Sequence, residues 1–187
     1  MKIPEKKVDL RIKRTHKLLS TALIDLLCRK GSSFNSITVN QICEQAMVHR
    51  TTFYKHFEDK FDLLSLTMEH LMQNYLQMST EERLKKPIQS LFKMSDDGLF
   101  VKAMDNQKDD EVFGNFIAKY IKELIKRDFL EIKKKGKTYP LPIELIEEFH
   151  AGVIGALITW WFHQDKEVSA EQMDKYYYQM ISKDISL

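Results

Sequence analysis

The sequence has little of what builds strand-rich folds, disulfide frameworks or membrane spans. Its 187 residues include 6 glycines, 4 prolines and 2 cysteines. So few turn-forming residues argue against a fold of many short strands and favour a chain of helices. Cys28 and Cys43 form no C-x-x-C pair, so we expect two reduced core cysteines rather than a disulfide or a metal site.

Long hydrophobic runs are also missing. The longest uncharged, mainly apolar stretch covers residues 151–162 and has 12 residues, fewer than the roughly 20 that span a bilayer. The basic residues near the N-terminus are not followed by the apolar core of a secretory signal. We therefore expect a cytoplasmic protein that has no membrane partner.

Motifs of catalysis are missing as well. The sequence has no phosphate-cradling glycine loop, nucleophile–base pair or paired-carboxylate motif. Glu147 and His150 have the Glu-x-x-His spacing of di-iron bundles, but there is no second copy of that motif. The sequence therefore predicts no enzyme, no metal site and no cofactor.

The charge that is present is unevenly distributed. The formal net charge is +2, yet residues 1–60 carry 12 Lys and Arg against 6 Asp and Glu, whereas residues 61–187 carry 17 against 21. The first third is thus +6 and the remainder −4. A basic segment suits a polyanionic partner, although solvated surfaces that bind nothing show such differences too.

Apolar residues recur at spacings of three and four over most of the chain, which indicates amphipathic helices and an all-α fold. Asp9 lies near the start of the first helix and Gly31 just past its end, and Asp59 is the N-cap of the fourth. Thr38 and Gln41 have the spacing of a capping box at the start of the second. The predicted helices span residues 8–29, 39–46, 50–55, 60–76, 87–94, 111–134, 142–163 and 169–185.

The second and third predicted helices are short neighbours that form a helix-turn-helix, in which the second helix of the pair enters a major groove. Apolar side chains brace the unit: Val39, Ile42, Cys43, Ala46, Val48 and Phe53. The opposite side of the third helix presents His49, Arg50, Thr51, Thr52 and Lys55 to DNA. Short amphipathic helices more often only fill space, so this pattern alone is weak evidence.

The chemistry of these side chains suits contacts with bases and phosphates. Arg50 can fork onto guanine O6 and N7, and a threonine methyl group can contact the methyl group of thymine. Phosphates are within reach of Tyr54, His56 and Lys60. Thr38 and the exposed N–H groups at the start of its helix can hold another phosphate.

Residues 38–60, which read TVNQICEQAMVHRTTFYKHFEDK, closely resemble the DNA-binding signature of the tetracycline-repressor (TetR) family. The resemblance covers about residues 8–66. It includes the aromatic pair at 53–54, the basic and aromatic triplet at 55–57 and the Asp-Lys pair at 59–60.

This resemblance implies an all-helical homodimer whose three N-terminal helices bind DNA and whose C-terminal helical bundle dimerises and binds a ligand. It implies a DNA-binding domain at 1–60 and a ligand-binding and dimerisation domain at 61–187. It also implies that residues 49–52 face bases and that Tyr54, His56 and Lys60 hold phosphates. In most members a ligand changes the spacing of the two recognition helices and releases a repressor, and a minority activate transcription.

Three positions depart from the common pattern of the family. Met47 stands where a glycine is usual, which questions the left-handed backbone that glycine permits in the turn. His49 replaces a frequent serine cap, and Thr51 replaces a frequent small residue. We expect these two changes to alter which bases are read rather than whether DNA is bound.

The helix predicted at 142–163 carries a smooth stripe of small residues, which allows another helix to approach closely. The same pattern fits a core helix within one subunit, and the family resemblance favours a four-helix interface between two subunits. The expected interface residues are Gly152, Gly155, Ala156, Trp160, Tyr176 and Tyr177.

Methionines and phenylalanines in the middle of the chain could line an adaptable apolar pocket, although core packing explains them equally well. They are Met68, Met72, Met78, Met94, Met104, Phe92, Phe100, Phe113 and Phe116. A small apolar effector is therefore an expected partner beside double-stranded DNA and a second copy of the chain.

Two interpretations follow from the sequence. The first is a bacterial, sequence-specific transcriptional regulator, a ligand-released repressor that acts as a homodimer on a (pseudo)palindromic operator. The alternative is a co-activator or protein-interaction module on the same scaffold, which the unusual residues Met47 and His49 favour.

Overall fold

A computed structural model describes residues 10–93, 98–164 and 168–182. These residues form helices and connections without a strand, which confirms the all-α prediction. The described helices are α1 (Leu10–Leu27), α2 (Val39–Ala46), α3 (Arg50–Phe53), α4 (Lys60–Leu71), α5 (Gln73–Gln77), α6 (Thr80–Lys85), α7 (Pro87–Phe92), α8 (Leu99–Asn106), α9 (Glu111–Lys134), α10 (Ile143–Phe162) and α11 (Ala170–Ile181).

Several helices differ from the prediction. The continuous helix predicted to reach Leu76 is interrupted at Met72, and neither α6 nor α8 was predicted. The third helix is shorter than expected and gives way to a turn after Phe53. Asp9 and Met94, which the sequence places in helices, lie outside the described residues, as does the segment 183–185.

The chain divides into two compact units, Met1–His70 and Leu71–Leu187. The first unit includes nearly all of α4, because the side chains of Leu63 and Leu64 are fully buried in its core. The predicted boundary after residue 60 concerns the roles of the two parts and stays a prediction. No helix in the described ranges has the length and hydropathy needed to cross a membrane.

The core of the first unit is a cluster of aliphatic and aromatic side chains in which α1 packs on α2. Full burial of one such side chain stabilises a fold by about 1.5–3 kcal/mol, so this cluster fixes the position of the short helix α3. Its large, fully buried members are Leu19, Leu23, Leu27, Phe34, Ile42, Phe53, Leu63 and Leu64.

The second unit is a bundle in which α9 packs on α10, and α7 packs on α11. A buried polar network ties α9 to α6: the Nε of Arg83 and the hydroxyl of Tyr75 each donate to Oδ2 of Asp128 at 2.9 Å. Burial raises the pKa of Tyr75, so its hydroxyl stays protonated and donates. Because removing one partner leaves an uncompensated buried charge, this network should be costly to break.

Asp174 of α11 caps α7 from a distant part of the chain. Its carboxylate accepts hydrogen bonds from the backbone N–H of Ile88 at 2.8 Å and from the side-chain amide of Gln89 at 2.9 Å. The N-terminal N–H groups of a helix have no partner within the helix. The Asp174 carboxylate therefore supplies an acceptor for the free N–H group of Ile88 and fixes α11 against α7.

Candidate nucleic-acid interface

The start of α2 has the capping box that the sequence predicts. The Thr38 hydroxyl accepts from the backbone N–H of Gln41 at 3.2 Å, and the Gln41 side chain accepts from the backbone N–H of Thr38 at 2.8 Å. Two N–H groups that lack a helical partner are thereby satisfied. Thr38 remains exposed, so its surface is open to another molecule.

Met47 forms the turn of the helix-turn-helix in the left-handed conformation, with φ 53° and ψ 40°. It is the one non-glycine residue with positive φ in the described part of the chain. The N–H of Val48 returns to the carbonyl of Cys43 at 2.9 Å and closes the end of α2. Methionine thus adopts the backbone that glycine would supply, at a cost of about 1–2 kcal/mol, and the turn is preserved.

The segment 49–57 has two distinct sides. Phe53 and Phe57, four residues apart, are buried against the core of the first unit. The other side carries the predicted DNA-binding residues, of which Thr52 and His56 are half-buried and the rest exposed: His49, Arg50, Thr51, Thr52, Tyr54, Lys55 and His56. These predicted residues therefore lie on the surface of the segment, around the two buried phenylalanines, and we call this polar surface the recognition face.

His49 is the N-cap of α3. Its Nδ1 atom lies 2.9 Å from the Thr51 hydroxyl and accepts from the backbone N–H of Thr51 at 3.4 Å. The residue that departs from the usual serine cap therefore still caps the helix. It does so with a larger side chain that is exposed at the start of the recognition face.

Two contacts hold the ring of Tyr54 in place, one with an aromatic ring and one with a cation. Its ring stands edge-on against Phe53 with the centroids 5.3 Å apart, and the Arg50 guanidinium lies 5.8 Å from the centroid of the Tyr54 ring. Tyr54 is nevertheless 51% exposed. A phenol held in this way can present its hydroxyl outward with little loss of rotamer entropy.

His16 of α1 supports the recognition face from behind, a role that we did not predict. Its ring meets the His56 ring edge-on at 5.1 Å and the Phe57 ring at 4.9 Å. Burial lowers the pKa of His16, and the nearby His56 and His70 lower it further. His16 is therefore the neutral neighbour of His56. Its position three residues before the buried Leu19 could have indicated that it lies on the inner face of α1.

Lys60, predicted to hold a phosphate, has a different set of contacts. Its ammonium group donates to the backbone carbonyls of Phe34, Asn35 and Ile37 at 2.7, 2.9 and 2.9 Å. An ammonium group has three protons, so a phosphate would have to displace or share one of these bonds. The geometry indicates a brace for the segment that leads into α2.

The outer face of α10 is an uncharged stripe. Five residues spaced three or four apart lie on it, all exposed: Leu145, Phe149, Gly152, Ala156 and Trp160. Leu145 is 55%, Phe149 51% and Trp160 44% exposed. The Trp160 ring stands edge-on to Tyr176 of α11, with centroids 6.1 Å apart. We call this surface the α10 stripe. Leu145 and Phe149 have the helical spacing that would have placed them on the same side as Gly152, but they were not predicted as interface residues.

Three of the predicted interface residues are not among the five of this stripe. Tyr176 is on α11, where its ring contacts that of Trp160. Tyr177 is buried within its own subunit, where its hydroxyl contacts Nδ1 of His150. Gly155 is half-exposed and lines a cavity of about 90 Å³ together with Met104 and Phe113. The small-residue pattern therefore divides between an outer side and a side that faces α9.

The predicted methionine and phenylalanine pocket is not a single site. Met72 and Phe100 are buried, Met94 is outside the described residues, and the cavity lined by Met104 and Phe113 is small. A larger cavity, about 670 Å³, lies among α9, α10, α11 and residues 137–141, with Tyr139, Phe149 and His150 in its wall. None of the eight described residues of the predicted set lines it.

The capped α2, the left-handed turn and the outward face of α3, set on an all-helical chain, define a helix-turn-helix transcriptional regulator. The TetR-type family described as "Transcriptional regulator C-terminal region" matches residues 82–183, more than half of the chain. The protein belongs to the TetR family of transcriptional regulators.

A curated relative agrees with this assignment. The uncharacterized HTH-type transcriptional regulator YxbF of Bacillus subtilis (strain 168) is 34% identical over 65 residues, which are 35% of this chain and 17% of that protein. The chain thus matches well under two thirds of the length of this relative.

Solved structures share the fold over most of the chain. A TetR transcriptional regulator from Streptococcus agalactiae 2603V is 23% identical with a TM-score of 0.62, covering 94% of this chain and 97% of that one. Lin0861 from Listeria innocua is 20% identical with a TM-score of 0.65, covering 95% and 94%. The dihydroxyacetone kinase operon activator DhaS is 21% identical with a TM-score of 0.53, covering 89% and 92%.

Proposed function

We propose that the protein is a sequence-specific DNA-binding repressor that acts as a homodimer on a (pseudo)palindromic operator. The observation that carries this proposal is the recognition face, a continuous set of polar and cationic side chains on α3, its N-cap and the turn that follows it, backed by buried aromatic residues. A major groove admits an α-helix, and its base edges are read by side chains of this kind.

The residues of the recognition face have different proposed roles. His49, Arg50, Thr51 and Thr52 contact base edges, with Arg50 on guanine. Phosphates are held by Tyr54, Lys55 and His56 and by the exposed start of α2 at Thr38. Lys60 contributes chiefly by holding the segment before α2, as its three carbonyl contacts suggest.

We propose the α10 stripe as the dimer interface. A two-fold interface places the same patch of both subunits in contact, and exposed apolar patches bordered by polar residues mark such surfaces. Gly152 and Ala156 lie at its centre, where small side chains let the two copies of α10 approach closely. The large side chains of Leu145, Phe149 and Trp160 would be buried around them.

A small apolar effector is proposed to release the repressor. The cavity of about 670 Å³ has the volume of a small-molecule site. Phe149 belongs both to its wall and to the α10 stripe, so an occupant of the cavity could alter the contact between subunits. The proposal that the effector releases the repressor from DNA, rather than promoting its binding, rests on the family resemblance.

The proposal is tested first by selecting tight-binding duplexes from a random pool with the full-length protein. Binding of the selected duplex should fall steeply with salt: neutralising about four phosphates corresponds to a loss on the order of a hundredfold between 50 and 200 mM. Failure to enrich any sequence, or binding that ignores salt, would contradict the proposal.

Two variants separate base contacts from phosphate contacts. Arg50→Ala should relax the base preference at one position in each half-site. Tyr54→Phe keeps the ring against Phe53 and removes only the hydroxyl, so it should weaken all duplexes alike, by about fivefold for each lost hydrogen bond. An unchanged base preference in Arg50→Ala would remove that residue from the proposed reading set.

One observation favours the alternative, a co-activator or protein-interaction module. The Met47 side chain is 90% exposed at the tip of the turn, where a soft apolar group suits a protein partner. DhaS, which shares the fold, is an operon activator. A reporter gene placed behind the selected operator distinguishes repression from activation. A partner that co-purifies with a protein lacking DNA affinity would favour this alternative over repression.

A further inference from the structure

We propose that the N-cap contact of α3 fixes the tautomer of His49, so that its Nε2–H group donates a hydrogen bond to the N7 atom of a purine in the major groove. This inference rests on the proposed function and adds to it the chemistry by which one position is read.

The first step concerns the proton on the ring. The backbone N–H of Thr51 lies in the first turn of α3, where it has no helical partner, and it donates to Nδ1 of His49. The Thr51 hydroxyl lies 2.9 Å from the same nitrogen. A neutral imidazole has one nitrogen that accepts and one that donates. The backbone N–H of Thr51 can only donate, and it faces Nδ1 at 3.4 Å, so a proton on Nδ1 would oppose it. The Thr51 hydroxyl can donate or accept, and we infer that it donates to Nδ1 and that the ring proton is on Nε2.

The second step concerns where this donor is placed. His49 is exposed and begins the recognition face next to Arg50 and Thr51. Nε2 is on the far side of the ring from the capping nitrogen, so the ring that caps α3 carries its free N–H group away from the helix start. No contact of Nε2 within the described ranges competes for this donor.

The third step is the match with a base edge. Guanine and adenine both present N7 as an acceptor in the major groove, whereas cytosine presents its N4 amino group as a donor. A fixed N–H donor therefore favours a purine and opposes a cytosine. The serine that is frequent at this position in the family can also cap, but its short hydroxyl cannot extend beyond the cap to a base.

The tautomer is tested on the free protein by ¹⁵N NMR of the histidine ring. The proposal predicts that Nδ1 of His49 has the chemical shift of an unprotonated ring nitrogen and that Nε2 has that of a protonated one. The opposite pattern at neutral pH would overturn this inference, but it would not contradict the proposal that the protein binds DNA.

The base contact is tested on the selected duplex by replacing each purine in turn with its 7-deaza analogue, which lacks the N7 acceptor. For the wild-type protein, one purine in each half-site should lose about threefold to tenfold in affinity through His49. In His49→Ser this sensitivity should disappear, and in Arg50→Ala the same purine should remain sensitive.

His49→Ser is a matched control for folding, because serine is a good N-cap, and its thermal unfolding should match that of the wild type. If His49→Ser keeps every purine sensitivity of the wild type, His49 only caps the helix and the inference is wrong. If no duplex is enriched with the wild type, the proposed function fails instead, and the NMR result still decides the tautomer.

Discussion

Replacing Lys60 by methionine removes the ammonium group that joins the start of α4 to the segment before α2. Methionine keeps an unbranched apolar stem of similar length beside Phe34, whose ring centroid lies 4.7 Å from the ammonium nitrogen. The substitution therefore isolates the loss of the three hydrogen bonds to the carbonyls of Phe34, Asn35 and Ile37.

The expected loss follows from the burial of these bonds. The bonds to the carbonyls of Phe34 and Ile37 are partly buried, whereas the bond to Asn35 is exposed and its carbonyl can regain water. A hydrogen bond to a charged group is worth about 1.5–3 kcal/mol, so two of them at the lower end give a destabilisation of about 3 kcal/mol. That is a large part of the roughly 5–15 kcal/mol that stabilises a typical domain.

The assay is urea unfolding of the full-length protein, with hydrogen exchange of the amides at 34–46 to locate the effect. Lys30→Met is the matched control: Lys30 is exposed, and its replacement should change stability by less than about 0.5 kcal/mol. A Lys60→Met variant as stable as this control would refute the brace. The DNA complex of Lys60→Met gives a second readout. If Lys60 held a phosphate, the salt slope of the variant would be smaller than that of the wild type by about one for each subunit. The brace predicts the same slope for both proteins.

Three further substitutions test other parts of the account. Met47→Gly should raise the free energy of unfolding by about 0.5–1 kcal/mol, because it relieves the left-handed strain while losing only a side chain that is 90% exposed; urea unfolding that shows destabilisation would contradict this. Burial raises the pKa of Glu147 above its ordinary 4.5, and its Oε1 atom is buried without a partner. The folded state therefore holds this proton more tightly than the unfolded state, and stability falls as the pH rises through the raised pKa. Glu147→Gln should remove that fall and be the more stable protein at neutral pH, and pH profiles of unfolding that run parallel in the two proteins would count against it. Because Phe149 lies in the proposed dimer interface, Phe149→Glu should be monomeric in sedimentation experiments and keep its helicity, whereas Lys119→Glu, an exposed change on α9, should be dimeric like the wild type. A dimeric Phe149→Glu protein would place the interface elsewhere.

The parts of the fold that the sequence predicted well are those whose signals are local. The bounds of α2 agree with the prediction, because Thr38 and Gln41 contain the whole capping interaction within four residues. The start of α6 has a comparable local signal in Ser79, whose hydroxyl accepts from the backbone N–H of Glu82, although no helix was predicted there. The interruption at Met72 has no proline or glycine, and the apolar periodicity continues across it.

The roles that the sequence could not assign depend on partners far away along the chain. Lys60 contacts carbonyls 23 to 26 residues before it, and no spacing rule distinguishes such a lysine from one that faces a phosphate. Tyr177 has the same helical spacing as an interface residue, but its hydroxyl contacts His150, 27 residues earlier. Tertiary contacts give both side chains partners within the chain, and their roles at DNA and at a dimer interface stay predictions.

Methylation protection of guanine N7 on the selected duplex tests the central claim most directly, because that atom lies in the major groove. With two helices α3 in one dimer, we predict two protected major-groove patches centred about one helical turn, roughly 34 Å, apart, in a complex of two subunits per duplex. A single protected patch, or no protection of guanine N7 at saturating protein, would contradict the account.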